Sequence, residues 1–144
     1  MKNKQSLVTI YITNHNYGRF LKQSIDSVLN QSLKKFDLII IDDGSKDNSK
    51  EIIKKYSKLP NVTVIFQKCK GLTISNNIAL NLAKGKYIMR LDADDYLNKY
   101  AIQLMSDHLE KNPDFGLVYP DFYLTDESGN ITSIFKNNEI NKNS

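Results

Sequence analysis

Acidic residues stand at two points of the sequence directly after apolar runs. Residues 42–43 follow the apolar run 36–41, and the acidic segment 92–95 follows the run 87–91. Oxygen ligands without spaced His or Cys favour a hard divalent ion such as Mg²⁺ or Mn²⁺. Such an ion binds one or two protein carboxylates together with phosphate oxygens of a ligand. The pattern therefore predicts a divalent-metal site that binds a phosphate ester.

The elements that position these acids can be read from apolar runs and helical stripes. Strands are predicted at residues 7–12, 36–41, 62–66, 87–91, 115–119 and 131–135, with helices after Gly18 and over residues 49–56, 74–82 and 97–109. This alternation predicts an α/β fold with a mostly parallel sheet and helices on both faces, because each parallel strand needs a crossover connection. Ligands of such sheets bind at the carboxyl ends of the strands. The polar residues after the first, second and fourth strands should therefore meet in one crevice.

Turn and capping residues predict where these elements end. Asn48 or Ser49 is predicted to cap the second helix, and Gly85 to end the third. The polar segment 126–130 is predicted to be a hairpin turn.

Length and composition limit the class of protein. A chain of 144 residues with 40% hydrophobic and 25% charged residues predicts one globular domain, here residues 1–135, followed by a disordered tail at 136–144. The net charge of +4 comes from scattered lysines, so nucleic acid is not the expected partner. Cys69 has no partner for an internal disulfide, which favours a cytoplasmic location. No apolar run is long enough to cross a membrane, although a Lys-rich surface allows peripheral contact with an anionic one.

Four segments of the sequence carry a resemblance to a known family. They are residues 8–16 (VTIYITNHN), 27–32 (SVLNQS), 41–49 (IDDGSKDNS) and 85–95 (GKYIMRLDADD). In order and spacing they resemble the inverting family 2 glycosyltransferases of the GT-A fold. A single D-x-D is common by chance, but four segments in register are specific. The resemblance covers nearly the whole chain.

The resemblance implies a role in ligand binding for five residues. Thr13 and His15 take the positions that hold the nucleotide base, although the family usually has Pro and Tyr there. Asp43 takes the position that hydrogen-bonds the base or its ribose. Asp92 takes the D-x-D position near the ribose, and Asp94 the position that binds the metal bridging the diphosphate. By the same comparison Asp42 supports its loop, and position 76 holds Asn where the family often has Arg.

The implied reaction is transfer of a sugar from a nucleoside diphosphate, expected to be a UDP-sugar, to an acceptor hydroxyl with inversion. The acceptor would be a saccharide or a lipid-linked saccharide, in surface polysaccharide synthesis at the inner face of the membrane. Inversion needs a general base. The family places it well beyond the D-x-D, and we expect it to be absent from this chain. Assembly into a homo-oligomer stays open.

Other interpretations of the same residues remain open. A module that binds a nucleotide sugar without turnover fits the missing base. A receiver-like or phosphatase-like domain would need a Lys and a Ser or Thr at later strand ends, and no convincing set is found. Acidic turns are often plain loops or helix caps when considered alone. Cys69 is expected to be a bystander thiol, and His15 and His108 do not suggest a metal triad.

Overall fold

A computed structural model describes residues 6–136 of the chain, and these form ten regular elements. In chain order they are β1 (Val8–Asn14), α1 (Gly18–Leu29), β2 (Phe36–Asp43), α2 (Ser49–Lys54), β3 (Val62–Gln67), α3 (Leu72–Leu82), β4 (Tyr87–Asp92), α4 (Ala101–Lys111), β5 (Phe122–Thr125) and β6 (Ile131–Phe135). The chain divides into two compact units, with the boundary between Ser106 and Asp107.

The first unit is built on a parallel sheet of four strands in the order β3-β2-β1-β4. The register pairs Thr13 of β1 with Ile41 of β2 on one side and with Asp92 of β4 on the other. The carboxyl ends of the three strands are therefore level, and the loops that follow them start at one edge. The prediction of an α/β fold with a mostly parallel sheet is confirmed.

Both faces of the sheet are covered by helices. Ile10, Ile12, Leu38 and Ile40 are fully buried on one face together with residues of α1 and α2, while the alternate residues of the same strands pack with α3. Buried strands of this kind lack a polar face, which explains the continuous apolar runs of the sequence. Burial of each large aliphatic side chain contributes about 1.5–3 kcal/mol, so this core fixes the strand ends firmly.

Of the two predicted helix ends, one is right in position and one is wrong. Asn48 is the N-cap residue of α2, but its side chain makes no capping hydrogen bond; instead the Asp47 carboxylate accepts hydrogen bonds from the amides of Ser49 (3.0 Å) and Gly18 (2.8 Å). Gly85 does not end α3, whose C-cap is Ala83 in an extended conformation. A Cβ at Gly85 would lie 2.5 Å from the backbone nitrogen of Thr9, so glycine is needed there for close approach to β1.

The second unit contains the β5–β6 hairpin. Its turn is the predicted one: the Asp126 carboxylate accepts hydrogen bonds from the amides of Ser128 and Asn130, and Gly129 has a φ of 84°. The strand predicted at residues 115–119 is wrong, because this segment pairs with no strand among residues 6–136. A run of apolar residues does not by itself supply the partner that a strand requires.

Three further predictions concern the C-terminal tail, the extent of the domain and membrane-spanning helices. Most of the predicted tail at 136–144 lies outside the described residues, and the extent of one domain over 1–135 stays a prediction. Within the part of the chain that the structure describes, no helix is long and apolar enough to span a bilayer.

Candidate functional site

A pocket lies at the carboxyl ends of β1, β2 and β4, where the strand register brings three loops together. Its volume is about 320 Å³. It is lined by Thr13, Asn14, His15, Tyr17, Asp43, Leu72, Ser75, Arg90, Asp92, Ala93 and Asp94. All five residues that the sequence singled out are in this lining, although they come from three separate segments. Their individual roles toward a ligand stay predictions.

A buried polar network joins the end of β1 to the loop after β2. The side-chain amide of Asn14 donates hydrogen bonds to the Asp42 carboxylate (2.9 Å) and to the Ser45 hydroxyl (2.9 Å). The amide of Ser45 donates to the other oxygen of Asp42 at 3.3 Å. Asp42 is 0% exposed and does not line the pocket. Its predicted role as a support of the loop is confirmed by these contacts.

The loop after β1 is held in one conformation by its own side chains. Nδ1 of His15 lies 2.7 Å from the backbone oxygen of Asp43. Since a carbonyl only accepts, Nδ1 carries the proton, and Nε2 keeps its lone pair in the neutral ring. Asn16 has a φ of 62°, and it is fixed by a bond from its amide to Ser45 Oγ and a bond from the amide of Lys46 to its side chain. The ring of His15 is thereby oriented at the rim of the pocket.

The carboxylate of Asp43 organises the loop between β3 and α3. It accepts hydrogen bonds from the amides of Lys70 (2.8 Å) and Gly71 (2.8 Å) and from the side chain of Gln67 (2.7 Å). Burial alone would raise the pKa of Asp43, but these three hydrogen bonds and the nearby His15 outweigh it and lower the pKa. Asp43 is therefore ionised at neutral pH, and Oδ2, which accepts one bond, retains a lone pair.

Arg90 is the cationic group of the pocket lining. Its guanidinium donates from Nε (2.8 Å) and from the adjacent terminal nitrogen to Oδ1 of Asp92. Both side chains are partly exposed, at 38% and 44%. The buried Tyr11 lies near this pair: desolvation raises the pKa of Tyr11, the Arg90 charge lowers it and the Asp92 charge raises it. Asp92 is thus already matched by one positive charge.

Asp94 and Asp95 carry the acidic character of the loop after β4. Asp94 is exposed, and its carboxylate has no hydrogen bond or ion pair within residues 6–136. Desolvation raises the pKa of Asp95, and the charges of Asp94 and Asp92 raise it further. Three carboxylates with one Arg leave a local excess of negative charge. Carboxylate oxygens are the ligands that a hard divalent cation prefers.

The acidic loop is fixed to α1 by three polar side chains of that helix and its C-terminal turn. Ser24 donates to the backbone oxygen of Asp92 (3.2 Å), and Ser27 accepts from the amide of Leu97 (3.1 Å). Gln31 is 0% exposed and bonds both to the Asn98 carbonyl and to the amide of Ile102. These contacts give a physical reason for the SVLNQS segment: it anchors the loop that carries the acids.

The sequence did not identify several lining residues. Arg90 was missed, although it precedes Asp92 by two positions in a strand and so shares its face. Asn14 was read only as part of a strand-end loop, and no sequence signal marked Ser75 or Leu72. Asn76, at the position where Arg was expected from the resemblance, does not line the pocket.

Solved structures share this architecture. The chain superimposes on the 1–349 fragment of S. aureus TarS in complex with UDP with a TM-score of 0.69, at 23% identity, over 74% of this chain and 33% of that one. A mannosyltransferase, PcManGT from Pyrobaculum calidifontis, in complex with GDP-Man and Mn²⁺ gives a TM-score of 0.59 at 20% identity, over 66% of this chain and 30% of that one. The predicted GT-A type of fold is confirmed by these likenesses.

Sequence comparison gives the family. The profile described as glycosyl transferase family 2 matches residues 9–142, and the chain belongs to that family. A chondroitin synthase of Escherichia coli is 36% identical over 128 residues, which is 88% of this chain and 19% of the relative. A hyaluronan synthase of Pasteurella multocida is 36% identical over 118 residues, covering 81% of this chain and 12% of the relative. The chain thus spans less than a fifth of the length of these two proteins.

Proposed function

We propose that this chain is the donor-binding part of a glycosyltransferase that binds a nucleoside diphosphate sugar, a UDP-sugar by preference, together with a divalent metal. The observation that carries this proposal is the convergence of Thr13, His15, Asp43, Asp92 and Asp94 around one pocket of about 320 Å³. A pocket of that volume is at the lower end of the range for small-molecule sites. The family membership and the ligands of similar solved structures, which are complexes with UDP, UDP-GlcNAc and GDP-Man, support a nucleotide-sugar donor.

The two ends of the pocket differ in chemistry, and this difference suggests how the donor lies. At one end His15 offers an oriented ring face and Asp43 an ionised acceptor with a lone pair, which suit the base and ribose. At the other end the Asp92 carboxylate accepts hydrogen bonds from Arg90, and Asp94, two residues further along the chain, belongs to the same lining. This end suits a metal-bound diphosphate.

The residues present fit a bound Mg²⁺ or Mn²⁺. Asp94 would hold the ion, and Asp92, already bonded to Arg90, would orient the ribose or share the ion. When bound, the metal stabilises the negative charge that grows on the departing diphosphate. Arg90 adds a second positive charge. Its planar guanidinium, which is bonded to Asp92, can also donate to a phosphate oxygen. The protein's part is to hold these groups in place before the donor arrives, which lowers the cost of reorganisation.

We further propose that the sugar is transferred to an acceptor hydroxyl with inversion, in polysaccharide synthesis at the cytoplasmic face of the membrane. The named activities of the chondroitin and hyaluronan synthases support a saccharide acceptor. Inverting transfer needs a base that takes the acceptor's proton. We assign no acid of this chain to that role; the Asp126 carboxylate, for example, is engaged in the hairpin turn.

Binding calorimetry with UDP-GlcNAc and Mn²⁺ tests the proposal. We expect Asp94→Asn to weaken Mn²⁺-dependent binding at least about tenfold, equal to about 1.4 kcal/mol. Asp37→Asn is the matched control, since Asp37 lies at the opposite end of β2, about 20 Å from Asp43 along the strand. Equal affinities of the wild type and the Asp94 variant would refute the site. Binding without any release of UDP would favour a non-catalytic binding module.

A further inference from the structure

Three side chains with metal-ligand chemistry meet beside the pocket: His15 and Asp43 belong to its lining, and Cys69 lies next to them outside it. One ligand atom from each of His15, Asp43 and Cys69 lies within 4.8 Å of the other two. The three come from separate parts of the chain: His15 follows β1, Asp43 is the last residue of β2, and Cys69 follows β3. An imidazole, a thiol and a carboxylate form a different donor set from the oxygen-only acids of the loop after β4, because nitrogen and sulfur ligands suit softer ions.

The hydrogen bond of His15 prepares its ring for a metal. Nδ1 donates to the backbone oxygen of Asp43, so the proton of the neutral ring is placed on that nitrogen and its Nε2 has the free lone pair. Metal-ligating histidines almost always bind a carbonyl or carboxylate through their other nitrogen in this way. The bond fixes both the tautomer and the ring plane.

Cys69 is held close to the same carboxylate by its backbone. Gly44 has a φ of 77°, and a Cβ there would lie 2.6 Å from the nitrogen of Cys69, so the two backbones are in direct contact. The next two amides, of Lys70 and Gly71, donate to the Asp43 carboxylate. The loop that carries the thiol is therefore tied to Asp43, while the thiol itself is exposed and accessible.

We propose that His15, Cys69 and Asp43 form a second metal site, which takes a borderline-soft divalent ion such as Zn²⁺ with water as the fourth ligand. Binding converts the Cys69 thiol to a metal-bound thiolate and releases one proton to solvent. Zinc bonds of about 2.0 Å to nitrogen and about 2.3 Å to sulfur place such ligands about 3.5 Å apart. Because the three ligand atoms already lie within 4.8 Å of one another, each pair has to close by at most about 1.3 Å, which rotamer changes of the exposed side chains of His15 and Cys69 supply.

Occupation of this site has a consequence for the donor. His15 and Asp43 are the residues that we assign to the nucleotide base, and a zinc ion bound to both would occupy their free lone pairs. Zn²⁺ at this site and the donor should therefore exclude each other. This consequence rests on the proposed function, whereas the metal site itself does not.

Direct metal binding tests the site without any nucleotide. We expect the reduced 144-residue chain to bind one Zn²⁺ in calorimetry, and Co²⁺ to give a thiolate-to-metal charge-transfer band. Cys69→Ser should abolish that band and weaken Zn²⁺ binding at least about tenfold, and His15→Asn should weaken Zn²⁺ binding similarly. His108→Asn is the control for loss of an imidazole and should bind Zn²⁺ as the wild type does. Zinc affinity that is unchanged in Cys69→Ser would show an adventitious ion only and would overturn the site.

A competition experiment separates the two proposals. With Mn²⁺ present, added Zn²⁺ should weaken UDP binding to the wild type but not to Cys69→Ser. The variant is also the control for direct binding of Zn²⁺ to UDP, because such binding would weaken the apparent affinity of both proteins equally. Equal weakening in both proteins would overturn the mutual exclusion. If the wild type binds Zn²⁺ through Cys69 but binds no UDP, the metal site stands and the proposed function fails.

Discussion

The buried contact between Asn14 and Asp42 allows a quantitative prediction. In Asn14→Ala the protein loses two hydrogen bonds of 2.9 Å, one to the Asp42 carboxylate and one to Ser45. A hydrogen bond to a charged group contributes about 1.5–3 kcal/mol and a neutral one about 1 kcal/mol. Since Asp42 is 0% exposed, water replaces the lost donor poorly. We expect the free energy of unfolding to fall by about 2.5–4 kcal/mol.

Urea unfolding measures this loss. Asn77→Ala is the matched control, because Asn77 is an exposed residue of α3 and alanine favours the helix. A double-mutant cycle with Asp42→Ala isolates the pair, and we expect a coupling energy of about 1.5–3 kcal/mol. If the two single effects add within about 0.5 kcal/mol, Asn14 and Asp42 do not act together and the reasoning is refuted.

Two further predictions concern a glycine and an acid near the site. Gly85→Ala should destabilise the protein by several times more than Gly116→Ala in thermal unfolding, because a Cβ at Gly85 meets the backbone of Thr9 at 2.5 Å and one at Gly116 meets nothing within 4 Å. Equal effects would exclude the close contact. The pKa of Asp43 is lower in the folded protein than its ordinary value of 3.8. The ionised carboxylate therefore stabilises the folded state above pH 3.8, and this contribution is lost as the pH falls through the pKa of the folded state. In urea titrations the difference between wild type and Asp43→Asn should therefore shrink below pH 3.8; a constant difference would contradict this.

Much of the first unit could be predicted because its strands are buried on both faces. Runs such as Ile39–Ile41 leave no polar face and so predict a strand. The first acidic or amide residue after such a run indicates approximately where the strand ends. The structure extends β1 by two residues, to Asn14, since ladder hydrogen bonds continue into the polar positions. The segment 115–119 shows the limit: it is apolar, but pairing depends on a partner that local sequence does not reveal.

The acidic residues of the candidate site could be predicted from the sequence, but the side chains that hydrogen-bond them could not. Asp43, Asp92 and Asp94 stand after apolar runs, so the topology alone brings them to one edge. The hydrogen bonds that hold Asp43 and Asp92 come from side chains distant in sequence, Gln67 and Ser24, and only the folded chain shows these. The same holds for Cys69, whose neighbours are His15 in the loop after β1 and Asp43 at the end of β2.

The central claim is that a divalent ion and a nucleoside diphosphate bind together at the ends of β1, β2 and β4. Nuclear magnetic resonance of the isotope-labelled chain tests it directly, because Mn²⁺ broadens signals near its binding site. In the presence of UDP, substoichiometric Mn²⁺ should broaden the amide signals of residues 92–95 first and leave those of Phe36 and Asp37, at the other end of the sheet, sharp. Uniform broadening, or broadening at 92–95 that does not depend on UDP, would contradict the claim.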